Sequence, residues 1–127
     1  MIKQINYCRL SRAIDTNSQT FTDMVVFVKN EVNKWFANPN HKSICVQDLF
    51  GGDNYEWHKK GFPIAAYWDA FNDQYYDAGY TEEESEAMAV KQAGIAVGYL
   101  LKYVLLKDPV RTYEQRKEFM HNVYHLI

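Results

Sequence analysis

The sequence predicts an α-dominated fold: a compact, all-α or nearly all-α bundle of about four to five helices, with room for a small N-terminal strand element. Four long segments repeat their apolar residues with the spacing of a buried helix face. Residues that favour helix starts precede these segments, and short connections rich in Gly, Pro or Asn separate them. Since 127 residues suit a single hydrophobic core, we expect one domain spanning residues 1–127.

The first helix is predicted to follow a polar stretch at residues 15–19. Thr20 or Thr22 supplies its N-cap, because a threonine hydroxyl accepts a hydrogen bond from a free N–H of the first turn. An Asn-Pro-Asn run at 38–40 ends the helix, since proline cannot continue one. Residues 2–14, before it, show neither clear strand alternation nor a clear helical stripe. The buried side is expected to consist of Met24, Val25, Phe27, Val28, Val32, Trp35 and Phe36.

The middle of the chain contains a short element and a second predicted helix. Residues 43–50 fit either a short helix or a strand, and a Gly-Gly-Asp-Asn run at 51–54 predicts a turn because glycine tolerates positive φ. The second helix is expected to begin near Pro63, which suits a first-turn position, and to stop at Gly79. Its apolar stripe consists of Ile64, Tyr67, Trp68, Phe71 and Tyr75.

The longest helix is predicted over residues 82–107. Thr81, with Glu84 three residues later, matches a capping box at its start. Within it, Gly94 and Gly98 stand four residues apart and expose backbone on one face. This spacing predicts close packing against another helix of the same domain.

A final helix is predicted to follow Thr112, where Gln115 repeats the capping-box spacing. On that helix Glu118, His121 and His125 would share a face, and Glu-x-x-His is half of a di-iron bundle motif. The other half of the motif is missing from the sequence, so we expect no metal and no cofactor. The apolar side of this helix would consist of Phe119, Val123 and Leu126.

Composition argues against several classes of protein. The longest uncharged stretch, 92–101, is well short of the roughly 20 apolar residues of a membrane-spanning helix. The first 15 residues contain no continuous apolar run of signal-peptide type, so we expect the cytoplasm. Cys8 and Cys45 form no C-x-x-C pair, which predicts two reduced thiols rather than a zinc or redox motif.

Catalytic motifs are also missing from the sequence. It has no G-x-S-x-G elbow, no H-E-x-x-H, no phosphate-binding glycine loop and no dinucleotide fingerprint. A thiol and a histidine, such as Cys45 and His58, meet in space rather than in sequence, so a pairing of that kind stays open. We expect a protein without enzymatic activity.

The acidic residues are concentrated in the middle of the chain. The net charge is −2, yet residues 53–87 contain nine acidic and two basic side chains, a balance of −7, between mildly basic flanks. Affinity for phosphate comes largely from clustered Lys and Arg, so this balance argues against a general nucleic-acid binder. It favours instead a partner with a basic surface.

Three aspartates are the strongest anomaly. Asp69, Asp73 and Asp77 recur every four residues and would line one edge of the second helix. Like charges at this spacing destabilise a helix by roughly 0.2–0.5 kcal/mol per pair. Either basic residues of the same domain or solvent neutralise them, or they form a face for a basic protein partner.

Aromatic residues surround the aspartates. Tyr55, Trp57, Tyr76 and Tyr80 are not required by any buried stripe, and Tyr and Trp beside charges are enriched in binding hot spots. We therefore expect an acidic, aromatic partner-binding face within residues 55–86. In general character, as a compact Tyr- and Asn-rich domain with a charged aromatic face, the chain resembles small phage-encoded accessory proteins that inhibit host defence machinery.

The alternative hypothesis is a DNA-binding regulator. Residues 81–102 resemble a helix-turn-helix, with a turn at 93–95 before a second apolar run. The would-be recognition segment, 96–106, offers DNA little besides Lys102 and tyrosines, whereas a recognition helix needs polar and basic side chains. The basic residues available to this hypothesis are Lys102, Lys107, Arg111, Arg116 and Lys117.

Overall fold

The computed structural model describes residues 1–50, 61 and 65–127. It has a mixed α/β fold, so the predicted bundle of four to five helices is wrong. The described residues form four helices and one three-stranded antiparallel sheet with the strand order β1-β3-β2. The helices are α1 (Gln19–Phe36), α2 (Val46–Phe50), α3 (Ala65–Asp77) and α4 (Glu82–Leu106), and the strands are β1 (Ser43–Ile44), β2 (Tyr113–Glu118) and β3 (His121–Leu126).

The first predicted helix is confirmed as α1, with a different N-cap. Ser18, rather than Thr20 or Thr22, accepts a hydrogen bond from the Phe21 N–H at 3.1 Å. The helix ends at Phe36, just before the Asn-Pro-Asn run. Its buried residues are Phe21, Met24, Val28 and Val32, whereas Val25, Phe27, Trp35 and Phe36 are partly buried.

The helix α4 forms the centre of the core. Its predicted capping box is present: the Glu84 N–H donates to Thr81 Oγ1 at 3.1 Å, and the Thr81 N–H donates to Glu84 Oε1 at 3.2 Å. Both α3 and α1 pack against it. Its buried residues are Ser85, Ala89, Ala93, Ala96, Val97, Leu100, Leu101, Val104 and Leu105.

Among the described helices, α4 alone is long and apolar enough to span a membrane by length and composition. In the most apolar part of α4, 44% of the residues are buried inside the domain. The core helix of a water-soluble domain has the same composition, because it too is surrounded by apolar side chains.

The predicted final helix is wrong: its residues form a β-hairpin. β2 pairs with β3 in register from Tyr113–Leu126 to Glu118–His121, and β3 also pairs with β1. One sheet face buries Tyr113 and Tyr124, and the Ile44 of β1 beside them is buried too. Burial of these large side chains decides between strand and helix. Burying one large apolar side chain contributes about 1.5–3 kcal/mol, whereas the helix propensities of Glu, Gln, Arg and Lys differ from those of other residues by less than about 1 kcal/mol each.

The hairpin turn has an unusual backbone for its residue types. Phe119 and Met120 connect the two strands, and both have positive φ, 50° and 67°. Two-residue turns of this kind favour Asn-Gly, because left-handed backbone costs other residues roughly 1–2 kcal/mol each. Phe119 was predicted to be buried on a helix, yet it is 95% exposed and Met120 is 89% exposed.

Two short segments complete the fold. Residues 43–50, predicted as a short helix or a strand, contain both β1 and α2. The N-terminal segment makes one isolated parallel bridge, from Ile2 to Tyr113, and its terminal amine donates hydrogen bonds to the carbonyls of Asp108 and Arg111. The predicted turn at 51–54 and the predicted helix start at Pro63 and Ile64 lie outside the described residues.

Candidate functional site

Three aspartates line the solvent side of α3. Asp69, Asp73 and Asp77 stand four residues apart on the helix and so share one side of it. All three are exposed, while Tyr67 is fully buried. The helix therefore separates a buried aromatic side from an acidic side that faces solvent.

No ion pair joins these aspartates to another residue that the structure describes. The sequence left open that basic residues of the same domain neutralise the three aspartates. Within residues 1–50, 61 and 65–127, no basic residue forms an ion pair with them. The Lys and Arg ion pairs between described residues lie elsewhere, as Lys34–Glu31, Arg111–Asp108 and Arg116–Glu114.

Two predicted aromatic residues are exposed near the aspartates. Tyr76 is 60% exposed and comes three residues after Asp73, which places the two side chains on neighbouring positions of the helix surface. Tyr80 is 41% exposed, and its ring meets that of Tyr75 edge-on at 5.6 Å. The other two predicted aromatic residues, Tyr55 and Trp57, lie outside the described residues.

Further exposed acidic residues follow in the first two turns of α4, namely Glu82, Glu83, Glu84 and Glu86. Among them Glu84 belongs to the capping box, and hydrogen bonds from the Thr81 side chain and backbone lower the pKa of its carboxyl group. We call Asp69, Asp73, Asp77, Tyr76, Tyr80, Glu82, Glu83 and Glu86 the acidic face.

The segment compared with a helix-turn-helix has a different geometry. α4 continues without a turn through residues 93–95, and most residues of 96–106 are buried or partly buried. Of the basic residues available to DNA, Arg111 pairs with Asp108, Arg116 pairs with Glu114, and Lys107 lies over the Tyr103 ring at 5.2 Å. This region therefore presents no recognition helix.

The helical face proposed for Glu118, His121 and His125 does not exist, because these residues belong to the hairpin. There Glu118 Oε2 contacts His125 Nε2, and His121 Nδ1 lies 3.1 Å from Gln47 Nε2. Among the described residues no group of three His, Cys, Asp or Glu side chains is placed to hold a metal ion.

The two cysteines have the properties of structural thiols. Burial is the main cause of the raised pKa of Cys8 and of Cys45, so less thiolate is present at neutral pH. Cys8 Sγ lies 3.2 Å from the Tyr99 carbonyl oxygen. A pairing of Cys45 with His58 involves a residue outside the described part of the chain.

A groove that the sequence did not predict lies between α4 and the hairpin. It has a volume of about 750 Å³. Gly94 and Gly98 line it, and both are half-buried. A Cβ atom added at Gly98 would meet nothing within 4 Å. The described residues that line this α4 groove are Val46, Gln47, Ala87, Val90, Lys91, Gly94, Ile95, Gly98, Tyr99, Lys102, Met120, His121, Asn122 and Tyr124.

The groove could not be predicted while the residues after Thr112 were expected to form a helix. The residue types of β2 gave no signal of a strand, because Tyr113 is followed by five polar residues and not by alternating apolar ones. Once a hairpin is placed there, the exposed residues of α4 lie beside it instead of beneath another helix.

Comparisons of the chain with protein families, with curated proteins and with solved structures found no significant match.

Proposed function

We propose that this domain is a non-enzymatic binding protein whose acidic face occupies a basic surface on a partner protein. The observation that carries the proposal is the row of three exposed carboxylates on α3 without a described ion-pair partner. The row has no local benefit, because like charges four residues apart destabilise a helix. Asp73 and Asp77 also lie toward the C-terminal end of α3, where the helix dipole disfavours negative charge.

The chemistry of the acidic face suits recognition of Lys and Arg. Clustered carboxylates speed up the encounter with a basic surface by long-range attraction, and this effect weakens as salt concentration rises. Tyr76 and Tyr80 add exposed aromatic area beside the charges. Aromatic residues with a polar group are the side chains that supply much of the affinity in protein interfaces.

Occupation of a basic surface is also a means of inhibition. A basic surface that binds nucleic acid is blocked when carboxylates take the positions of the phosphates. We therefore extend the proposal to inhibition of host machinery, in the manner of small phage-encoded proteins, with the cytoplasm as the site of action.

The test is the triple substitution Asp69→Lys, Asp73→Lys and Asp77→Lys. Partners captured from a cell lysate by the wild type are identified, purified and titrated against both proteins at several salt concentrations. We expect the triple variant to lose at least tenfold in affinity and the wild-type affinity to fall as salt rises.

The control for net charge is Asp23→Lys, Glu31→Lys and Glu114→Lys, on α1 and β2, which changes the net charge equally. Because it also removes the Lys34–Glu31 and Arg116–Glu114 ion pairs, the melting temperatures of both triple variants are measured first. The control variant should retain the wild-type affinity. Equal losses in both triple variants would show that net charge alone matters, and unchanged binding by the first variant would show that the acidic face is not the binding surface. Tight binding of duplex DNA by the wild type at moderate salt would also contradict the proposal.

A further inference from the structure

A second surface, on the other side of α4 from the core, has the features of a docking site. Ile95 is 46% exposed and Tyr99 is 41% exposed, although most apolar residues of α4 are buried. Both line the α4 groove together with Gly98. The groove therefore combines exposed apolar side chains with a stretch of helix backbone that a partner can approach closely.

The tip of the hairpin extends this apolar surface. Met120 lines the groove, and Phe119 stands beside it in the turn, 95% exposed. Both have the positive φ values that favour Asn and Gly at such a turn. Neither folding nor solubility explains large apolar residues at this position, whereas contact with a partner does.

The charge of the groove selects the partner. Lys91, Lys102 and His121 line it, and no described lining residue is acidic. The charge of the groove is therefore positive, whereas that of the acidic face is negative. An occupant with exposed carboxylates along its edges would complement the groove, and a basic one would be repelled.

The dimensions of the groove favour a helix as the occupant. Its α4 side runs from Ala87 to Lys102, which at a rise of 1.5 Å per residue is about 22 Å, or about four helical turns. The small residues Ala87, Gly94 and Gly98 line this side. An amphipathic helix placed in such a groove buries apolar residues at positions i, i+3, i+4 and i+7.

We propose that the α4 groove, together with the Phe119–Met120 tip, binds an acidic amphipathic helix of a partner protein. The domain then has two binding surfaces of opposite charge, one acidic and one basic and apolar. This second surface does not depend on the function proposed for the acidic face.

The experiment is a selection from a displayed library of random 16-residue peptides with the full domain as bait. We expect the enriched peptides to share an apolar i, i+3, i+4, i+7 pattern with Glu or Asp on the flanking positions. Gly98→Leu places a large side chain in the groove at a position where the added Cβ atom would meet nothing within 4 Å, and it should lower the affinity of these peptides at least tenfold. Circular dichroism and the melting temperature are measured to check that this variant is folded.

Two control variants separate the groove from the rest of the surface. Asn30→Leu places the same apolar side chain at an exposed position on α1 and should leave binding unchanged. Lys91→Glu with Lys102→Glu should reduce affinity at least tenfold, whereas Lys29→Glu with Lys42→Glu, two exposed lysines elsewhere, should not.

The absence of enriched peptides, or enrichment of basic or patternless peptides, would overturn the proposal. Enriched peptides that bind Gly98→Leu as well as wild type would also overturn it, and so would a concentration-dependent dimer that Gly98→Leu abolishes. Such a dimer would assign the groove to a second copy of the chain. Binding to phosphatidylcholine–phosphatidylglycerol vesicles that requires Phe119, without peptide binding, would assign the tip to a membrane surface.

Discussion

The Tyr113 hydroxyl donates a hydrogen bond of 2.7 Å to Asp108 Oδ2 and so joins the start of β2 to the connection that follows α4. The backbone N–H groups of Val110 and Arg111 donate to the other oxygen, Oδ1, at 2.9 and 3.1 Å. The Arg111 guanidinium also contacts Oδ2 at 3.3 Å. This carboxylate therefore organises the transition from helix to hairpin.

Replacement of Asp108 with alanine should lower the free energy of unfolding by about 1–3 kcal/mol, because buried Tyr113 loses its hydrogen-bond acceptor. Burial alone would raise the pKa of Asp108, but the hydrogen bonds from Tyr113, Val110 and Arg111 hold it below its usual value. The stability that this carboxylate contributes is thus present above the unfolded pKa of about 3.9 and is lost as pH falls through the lower folded pKa.

Urea denaturation of wild type and Asp108→Asn between about pH 7 and about pH 2 checks this pH dependence. The free energy of unfolding of the wild type should exceed that of the variant by less and less as the pH falls. An advantage that grew as the pH fell would contradict the assignment, and Tyr113→Phe serves as the control that removes only the hydroxyl.

Removal of the Tyr67 hydroxyl should make the domain more stable to unfolding. The side chain is fully buried, and its hydroxyl has no hydrogen-bond partner among the described residues. Burial raises the pKa of this phenol to about 12. Because an unpaired buried hydroxyl costs roughly 1–3 kcal/mol, Tyr67→Phe should raise the free energy of unfolding by up to that amount. A loss of stability in the same denaturation experiment would mean that the hydroxyl makes a stabilising contact.

Gly98→Ala should stabilise α4. Glycine in a helix interior is about 0.8–1 kcal/mol less favourable than alanine, and the added Cβ meets no atom within 4 Å. Thermal denaturation should therefore show a higher melting temperature. An unchanged or lower value would indicate that the position is more crowded than the structure shows.

Replacement of the two turn residues of the hairpin should also stabilise the domain. Phe119→Asn with Met120→Gly replaces two residues of positive φ by the pair that such turns favour. The expected gain is at least about 1 kcal/mol, since left-handed backbone costs roughly 1–2 kcal/mol per residue. Equilibrium denaturation measures it, with Phe119→Asn alone as an intermediate. If the double variant were less stable, apolar contacts of the tip would outweigh the backbone strain.

Reversal of Asp77 should not destabilise the domain. Asp77 is the last residue of α3, where a positive charge interacts favourably with the helix dipole, and reversal also removes the repulsion from Asp73. We expect Asp77→Lys to raise the free energy of unfolding by about 0.3–1 kcal/mol. Asp69→Lys, which lies two turns earlier, should give a smaller change. Unfolding of either variant would mean that these carboxylates support the fold.

The sequence by itself determined the three long helices. The apolar spacing located α1, α3 and α4, and the Thr81–Glu84 pair marked the start of α4 correctly. The same spacing placed Asp69, Asp73 and Asp77 away from the buried aromatic side, and the structure has them exposed. These features were readable because a helix is built from contacts three and four residues apart.

The tertiary structure alone decided the C-terminal third of the chain. Thr112 and Gln115 match a helix start, and nothing local contradicts a helix after them. The hairpin forms because Tyr113 and Tyr124 become buried, and Tyr124 does so beside Ile44, a residue 80 positions earlier. The spacing of apolar residues does not report contacts so distant in sequence. The α4 groove depends on these contacts, because a strand pair beside α4 leaves Gly98 open, where a packed helix would have covered it.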